Sequence, residues 1–177
     1  GLPIVAVTGG GKLLSRAKKA SWPYILLPDK QILSRQATGY FLKSFSHLAA
    51  YGDLSDQLSN LGQQIDPDAY LVDSQRLADK INSKIPLFYS TSALAPLAWF
   101  WKLKINETGQ HPAFTGILPD INHSELAGFS RLSNFNDLFT AFFLEDPRDS
   151  VSIKKKMALT IDWLRDHGVG STKLSLE

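Results

Sequence analysis

The chain has 177 residues, of which 44% are hydrophobic and 20% charged, with a net charge of +2 and no cysteine. Without cysteine there are no disulfides, no thiolate catalysis and no cysteine-ligated zinc. So slight a charge gives no case for a nucleic-acid or membrane partner, and no apolar run reaches membrane-spanning length. The length suits one domain or parts of two, and a cytoplasmic enzyme is the default expectation.

The chain opens on Gly1-Leu-Pro-Ile-Val, with neither signal-peptide form nor an initiator methionine, so a fragment of a longer protein is expected. Residues 4–8 read as a β-branched strand, Gly9-Gly10-Gly11 as a turn, and 12–20 as a helix. Strand, glycines and helix resemble a phosphate loop, but neither GxGxxG nor Gly-Lys-Ser/Thr spacing is present, and a tight turn is the better reading. A second strand is predicted over 24–27, closed by Pro28-Asp29. Ser34 is expected to cap a helix over 35–51, with Gly52 after it. Arg35 then falls in a first turn, where the helix dipole disfavours a cation, and on residue type alone it reads as a surface arginine.

A short helix is predicted over 54–61. Another runs over 69–84, started by Asp66-Pro67-Asp68, with Leu71, Leu77, Ala78 and Ile81 on one side. Late in the chain, 138–144 reads as a strand and 145–149 as a polar turn. Ser150 caps a helix over 151–167 with Ile153, Met157, Ile161 and Leu164 inward, and 172–176 forms a last strand. His167 fits a helix C-terminal cap. Lys154-Lys155-Lys156 reads as a solvated helix face. His47 and His111 lack ligand spacing, so no metal is expected.

The centre is the most informative part. Residues 85–89 form a short apolar run followed by Ser90, Thr91 and Ser92, the pattern of a buried parallel strand. Ser92 is expected to cap the next helix, with Pro96 tolerated in its first turn and Leu94, Leu97, Trp101 and Ile105 as its buried face. Gly109 is its natural stop. Glu107 lies at the C-terminal end, where the dipole disfavours negative charge, the direction that suits a base working near neutral pH. The alternative is a solvated glutamate at a frayed helix end. Sixteen residues on stands His123, in Asp120-Ile121-Asn122-His123-Ser124-Glu125; alone, it reads equally as a cap or surface residue.

Lys102-Leu-Lys-Ile-Asn-Glu107, Pro112-Ala-Phe and Leu118-Pro-Asp-Ile-Asn-His123-Ser-Glu125 together resemble the signature of the bifunctional phosphoglucose/phosphomannose isomerases of the sugar isomerase (SIS) superfamily. In that family an Asn-Glu pair ends a helix and a Leu-Pro-Glu-x-x-His segment follows at this separation. Ser34-Arg35-Gln36-Ala37-Thr38-Gly39-Tyr40 matches its Arg, Gly and Tyr, whereas Thr108-Gly109 stands where the family continues Asn-Ala.

Strands alternating with helices indicate an α/β chain with a parallel sheet. The resemblance implies a three-layer αβα sandwich, flavodoxin-like: 1–33 as the tail of a first SIS domain, 34–66 as linking helices, and 67–177 as a second SIS domain, incomplete at its C-terminus. It implies aldose–ketose isomerisation of hexose 6-phosphates through a cis-enediol. In that chemistry Glu107 is the base, His123 opens the ring, and Arg35 stabilises the developing negative charge. Arg35, Ser90, Thr91, Ser92 and Asn106 are the expected substrate contacts. No metal or organic cofactor is implied, and the histidine is contributed across a homodimer. The family's phosphate loop precedes the first residue here and a late lysine lies beyond Glu177, so the chain alone is expected to have little activity. A non-catalytic sugar-phosphate-binding SIS module is the alternative. A nucleotide-binding flavodoxin-like domain rests on Gly9–Gly11 alone.

Overall fold

A computed structural model describes residues 2–28, 32–131 and 133–176; Asp29, of the Pro28-Asp29 pair expected to close the second strand, lies outside them. The chain divides into two compact units, Gly1–Asp68 and Ala69–Glu177.

The first unit starts with β1 (Ala6–Thr8) and β2 (Tyr24–Leu26), paired in parallel and joined through α1 (Gly11–Lys19). The glycine run is a turn: the Thr8 hydroxyl donates to the Gly10 carbonyl at 2.9 Å and accepts from the Gly10 N–H at 3.1 Å. The expected helix over 35–51 is divided. Ser34–Gln36 is a 3-10 turn, and α2 (Thr38–Leu48) begins after it. Ser34 is therefore not an N-cap, and Arg35 belongs to the 3-10 turn rather than to the helix. The next helix, α3 (Gly52–Gln64), is longer than 54–61 because Gly52 opens it instead of ending the one before.

The second unit opens with α4 (Leu71–Ile81), preceded by a 3-10 turn in which the Asp66 carboxylate accepts the Asp68 N–H at 3.0 Å. Leu77 and Ile81 of α4 pack inward, but Leu71 is 61% exposed and Ala78 also faces solvent. The unit is built on four parallel strands, β3 (Ile85–Ser90), β4 (Phe114–Ile117), β5 (Phe139–Glu145) and β6 (Gly170–Ser175), in the order β4-β3-β5-β6. The helices α5 (Ala95–Glu107), α6 (Ile121–Phe129) and α7 (Val151–Asp166) connect them.

Strand alternation distributes the side chains between two faces. Leu87, Tyr89, Ala141 and Phe143 meet Ile121 of α6 and Met157, Ile161 and Leu164 of α7. Phe88, Phe142 and Leu144 meet Ala98, Leu97, Trp101 and Ile105 of α5 and Leu77 and Ile81 of α4. The second unit is thus a three-layer α/β/α sandwich with a parallel sheet, as the sequence implied. Both faces of the central strands are covered, which is why they read as unbroken apolar runs. Phe88 stacks on Phe142 at 5.5 Å and meets Trp101 edge-on at 5.7 Å. Such pairs add about 0.5–1.5 kcal/mol each beyond simple burial.

Ser150 caps α7 as expected, accepting the Ile153 N–H at 3.3 Å. His167 closes the helix: its Nδ1 lies 2.8 Å from the Trp163 carbonyl and its ring stacks on Trp163. Ser92, by contrast, does not cap α5. The N-cap is Leu94, and the Leu94 and Ala95 N–H groups donate to the carbonyls of Thr91 and Ser92 in tight turns.

Candidate active site

In open α/β sheets, ligand sites gather beyond the carboxyl ends of the strands, at the point where connections diverge. Here that point lies between β3 and β5, since the chain leaves β3 toward β4 and leaves β5 toward β6. Its residues are mostly committed to one another. The Thr91 hydroxyl donates to Asp149 Oδ1 at 3.2 Å, and Asp149 Oδ2 accepts the Asp146 N–H at 3.0 Å. Asp146, 3% exposed, accepts from the Arg148 N–H, Nε and Nη2 at 2.7–2.9 Å. Those bonds and the guanidinium charge lower the Asp146 pKa to about 2. This clamp joins the loops after β3 and β5, where the sequence pattern of 145–149 indicates only a polar turn.

The predicted substrate contacts following β3 differ in access. Ser90 is fully buried, and its hydroxyl finds no partner among the described residues. Thr91 is 8% exposed and spends its hydroxyl on Asp149, whereas Ser92 is exposed. A cleft of about 520 Å³ opens beside them, between the start of α5 and the end of β4, walled by Ser92, Pro96, Trp99 and Ile117.

Asn106 and Glu107 lie at the other end of α5. The helix has 13 residues, so it carries them roughly 20 Å away, to the edge where the parallel strands begin. The Thr108 N–H closes the helix on the Lys104 carbonyl at 2.9 Å. Gly109 is required at this exit, because a Cβ there would stand 2.8 Å from the Ile105 carbonyl oxygen. Glu107 is exposed, and the Lys104 ammonium packs over the Phe100 ring at 4.8 Å. The Asn106 side-chain oxygen is buried without a hydrogen-bond partner among the described residues, and Asn106 lines a groove of about 510 Å³ with Lys102, His111 and Phe114. His111 Nε2 lies 2.6 Å from the Lys84 carbonyl, which gives that ring a structural role.

His123 is the third residue of α6, which follows the carboxyl end of β4, and it is exposed. Glu107 and His123 therefore stand at opposite edges of the sheet, and Arg35 belongs to the other unit. Neither α6 nor β4 was separately predicted. The sequence also gave no sign of what holds α6 down. Tyr89, 1% exposed on β3, donates its hydroxyl to Glu125 Oε2 in a short hydrogen bond, and Thr160 of α7 donates to Asn122 Oδ1 at 3.1 Å. Burial, then the bond to Glu125, pushes the Tyr89 pKa upward, so the phenol remains a donor. Gly116 makes room for this contact: a Cβ on it would lie 2.4 Å from Ile121 Cγ2, 2.9 Å from Tyr89 Cε1 and 3.0 Å from Glu125 Oε1.

Comparison with known proteins bears on what this arrangement serves. Residues 72–177 match a family model described as the bacterial phospho-glucose isomerase C-terminal SIS domain. The chain is 29% identical over 171 residues to a bifunctional phosphoglucose/phosphomannose isomerase of Aquifex aeolicus, covering 96% of this chain and 52% of that protein. It is 28% identical over 179 residues to a protein of the same name from Caldicellulosiruptor bescii, covering 93% and 52%. A D-glucosamine-6-phosphate 4-epimerase of Sulfolobus acidocaldarius is 31% identical over 133 residues, 72% of this chain and 42% of the epimerase. The chain thus spans about half the length of the two isomerases. Among the described residues, no helix is long and apolar enough to cross a membrane.

Proposed function

Since the chain belongs to the family of bacterial phospho-glucose isomerase C-terminal SIS domains, we propose that the full-length protein carrying it is an aldose–ketose isomerase of hexose 6-phosphates. The observation that carries this reading is Glu107: a carboxylate presented to solvent at the end of a helix whose first two turns are apolar, in the Asn106-Glu107 pair, with a match to the isomerase family across the unit that contains it. The names of the relatives support a hexose phosphate as substrate. In the same reading, residues 1–33 are the tail of a first SIS domain, 34–66 link, and 67–177 form the second.

The reaction moves one proton between C2 of the aldose and C1 of the ketose. Glu107 takes it from one carbon, leaving a cis-enediol with charge developing on its oxygens, and returns it to the other. The family signature assigns Arg35 as the cation that answers that charge, where preorganisation counts most. Ring opening needs a proton delivered to the ring oxygen and another removed from the anomeric hydroxyl, and His123, whose two ring nitrogens can give and take a proton, is assigned to that exchange. Glu107 and His123 lie about the length of α5 apart in one chain, too far to serve one sugar. That separation supports a homodimer in which each site takes Glu107 from one subunit and His123 from the other. Ser92, exposed at one edge, and Asn106, lining the groove at the other, remain the candidates for substrate contact.

The test is an assay of the full-length protein with glucose, mannose, fructose and glucosamine 6-phosphates. Interconversion of the first three is the expected result. Binding seen as a thermal shift without turnover of any of them would instead favour a non-catalytic sugar-phosphate module.

A further inference from the structure

We propose that Glu125, held by the Tyr89 phenol, is the positioning residue for His123. The inference rests on the assignment of His123 to ring opening and adds the device that aims it. His123 lies on a helix of nine residues, a length that is marginal on its own in water. Its place is therefore set by whatever fastens α6 to the sheet. Two side-chain bonds do so on either side of it: Asn122 to Thr160 of α7, and Glu125 to Tyr89 of β3. The second is the more rigid anchor. Tyr89 sits on a central strand with its ring packed at 5.3 Å against Phe143, and it has almost no exposed surface, so it touches no substrate. Its hydroxyl, once desolvated, has to find an acceptor, and Glu125 supplies one. Gly116 lets the two side chains meet directly over β4, since any Cβ there would collide with both Tyr89 and Glu125. A side chain that exchanges protons with a ring oxygen must be held to within a fraction of an ångström, and a misplacement of about 1 Å can cost a large part of the rate.

The experiment separates ring opening from proton transfer. Fructose 6-phosphate must open its ring; 5-deoxyfructose 6-phosphate lacks the hydroxyl that closes it and is already open. In the full-length protein, Tyr89→Phe and Glu125→Ala are expected to lower kcat on fructose 6-phosphate about tenfold and to leave the open-chain analogue within about twofold of wild type. Glu125→Gln keeps an oxygen that accepts from the phenol and should retain most of the activity, with a melting temperature near that of wild type. Equal losses on both substrates, or no loss on fructose 6-phosphate, would overturn the positioning role. His123→Ala is the control for the assignment beneath it. If His123→Ala itself fails to discriminate between the two substrates, the role given to His123 falls, and the inference with it.

Discussion

Glu107 and His123 stand at opposite edges of one parallel sheet, Glu107 where the strands begin and His123 where they end. A site that uses both must draw them from two subunits. Glu107→Gln and His123→Ala, each inactive alone in the full-length protein, should therefore complement when co-expressed. Random pairing leaves one intact site in each mixed dimer, so roughly a quarter of wild-type activity should return. A site contained within one chain would recover nothing.

Gly116 sits where β4, Tyr89 and α6 converge. Gly116→Ala would force its methyl against Ile121, Tyr89 and Glu125 at 2.4–3.0 Å. Overpacking of this kind costs about 1–3 kcal/mol. A clear fall in melting temperature is expected, and a wild-type value would show that α6 yields easily.

The clamp after β5 gives an acid dependence. Asp146 has its pKa lowered to about 2, chiefly by the Arg148 side chain, below the ordinary 3.8. A depressed carboxylate contributes stability that is fully present above its unfolded pKa and lost as pH falls through the folded one. Arg148→Ala should therefore lower stability throughout the range above the ordinary carboxylate pKa of 3.8, neutrality included, move the acid-unfolding midpoint to higher pH, and cease to matter only as pH falls through about 2. Because Arg148 is 85% exposed, salt should shrink the difference. Coincident acid-unfolding curves for the two proteins would show that the clamp contributes nothing.

The parts of the fold legible in the sequence are those fixed locally. The central strands announce themselves as apolar runs, the Ser150 cap has its hydroxyl one turn from the N–H it serves, and Leu97, Trp101 and Ile105 recur at helical spacing. The misread starts have a common cause. Ser34 and Ser92 look like caps, but in each case the following N–H groups close tight turns on backbone carbonyls, and the helix begins later. β4 was not separated because it is a four-residue edge strand with exposed ends and no long apolar run. The site residues themselves came from a family signature; their placement on two edges follows from α5 running back against the strands and α6 starting after β4, and that short strand has no clear mark in the sequence. The Tyr89–Glu125 bond joins residues 36 apart in sequence and has no local signature at all.

The role proposed for Glu107 is to move the proton between C1 and C2. Glu107→Gln in the full-length protein keeps the shape of the side chain and removes its basicity. Turnover of fructose 6-phosphate and exchange of the C2 proton of glucose 6-phosphate with solvent should be measured together. Both are expected to fall by at least about a hundredfold, with KM little changed. Near-normal turnover with near-normal exchange would show that the carboxylate at the end of α5 is not the base.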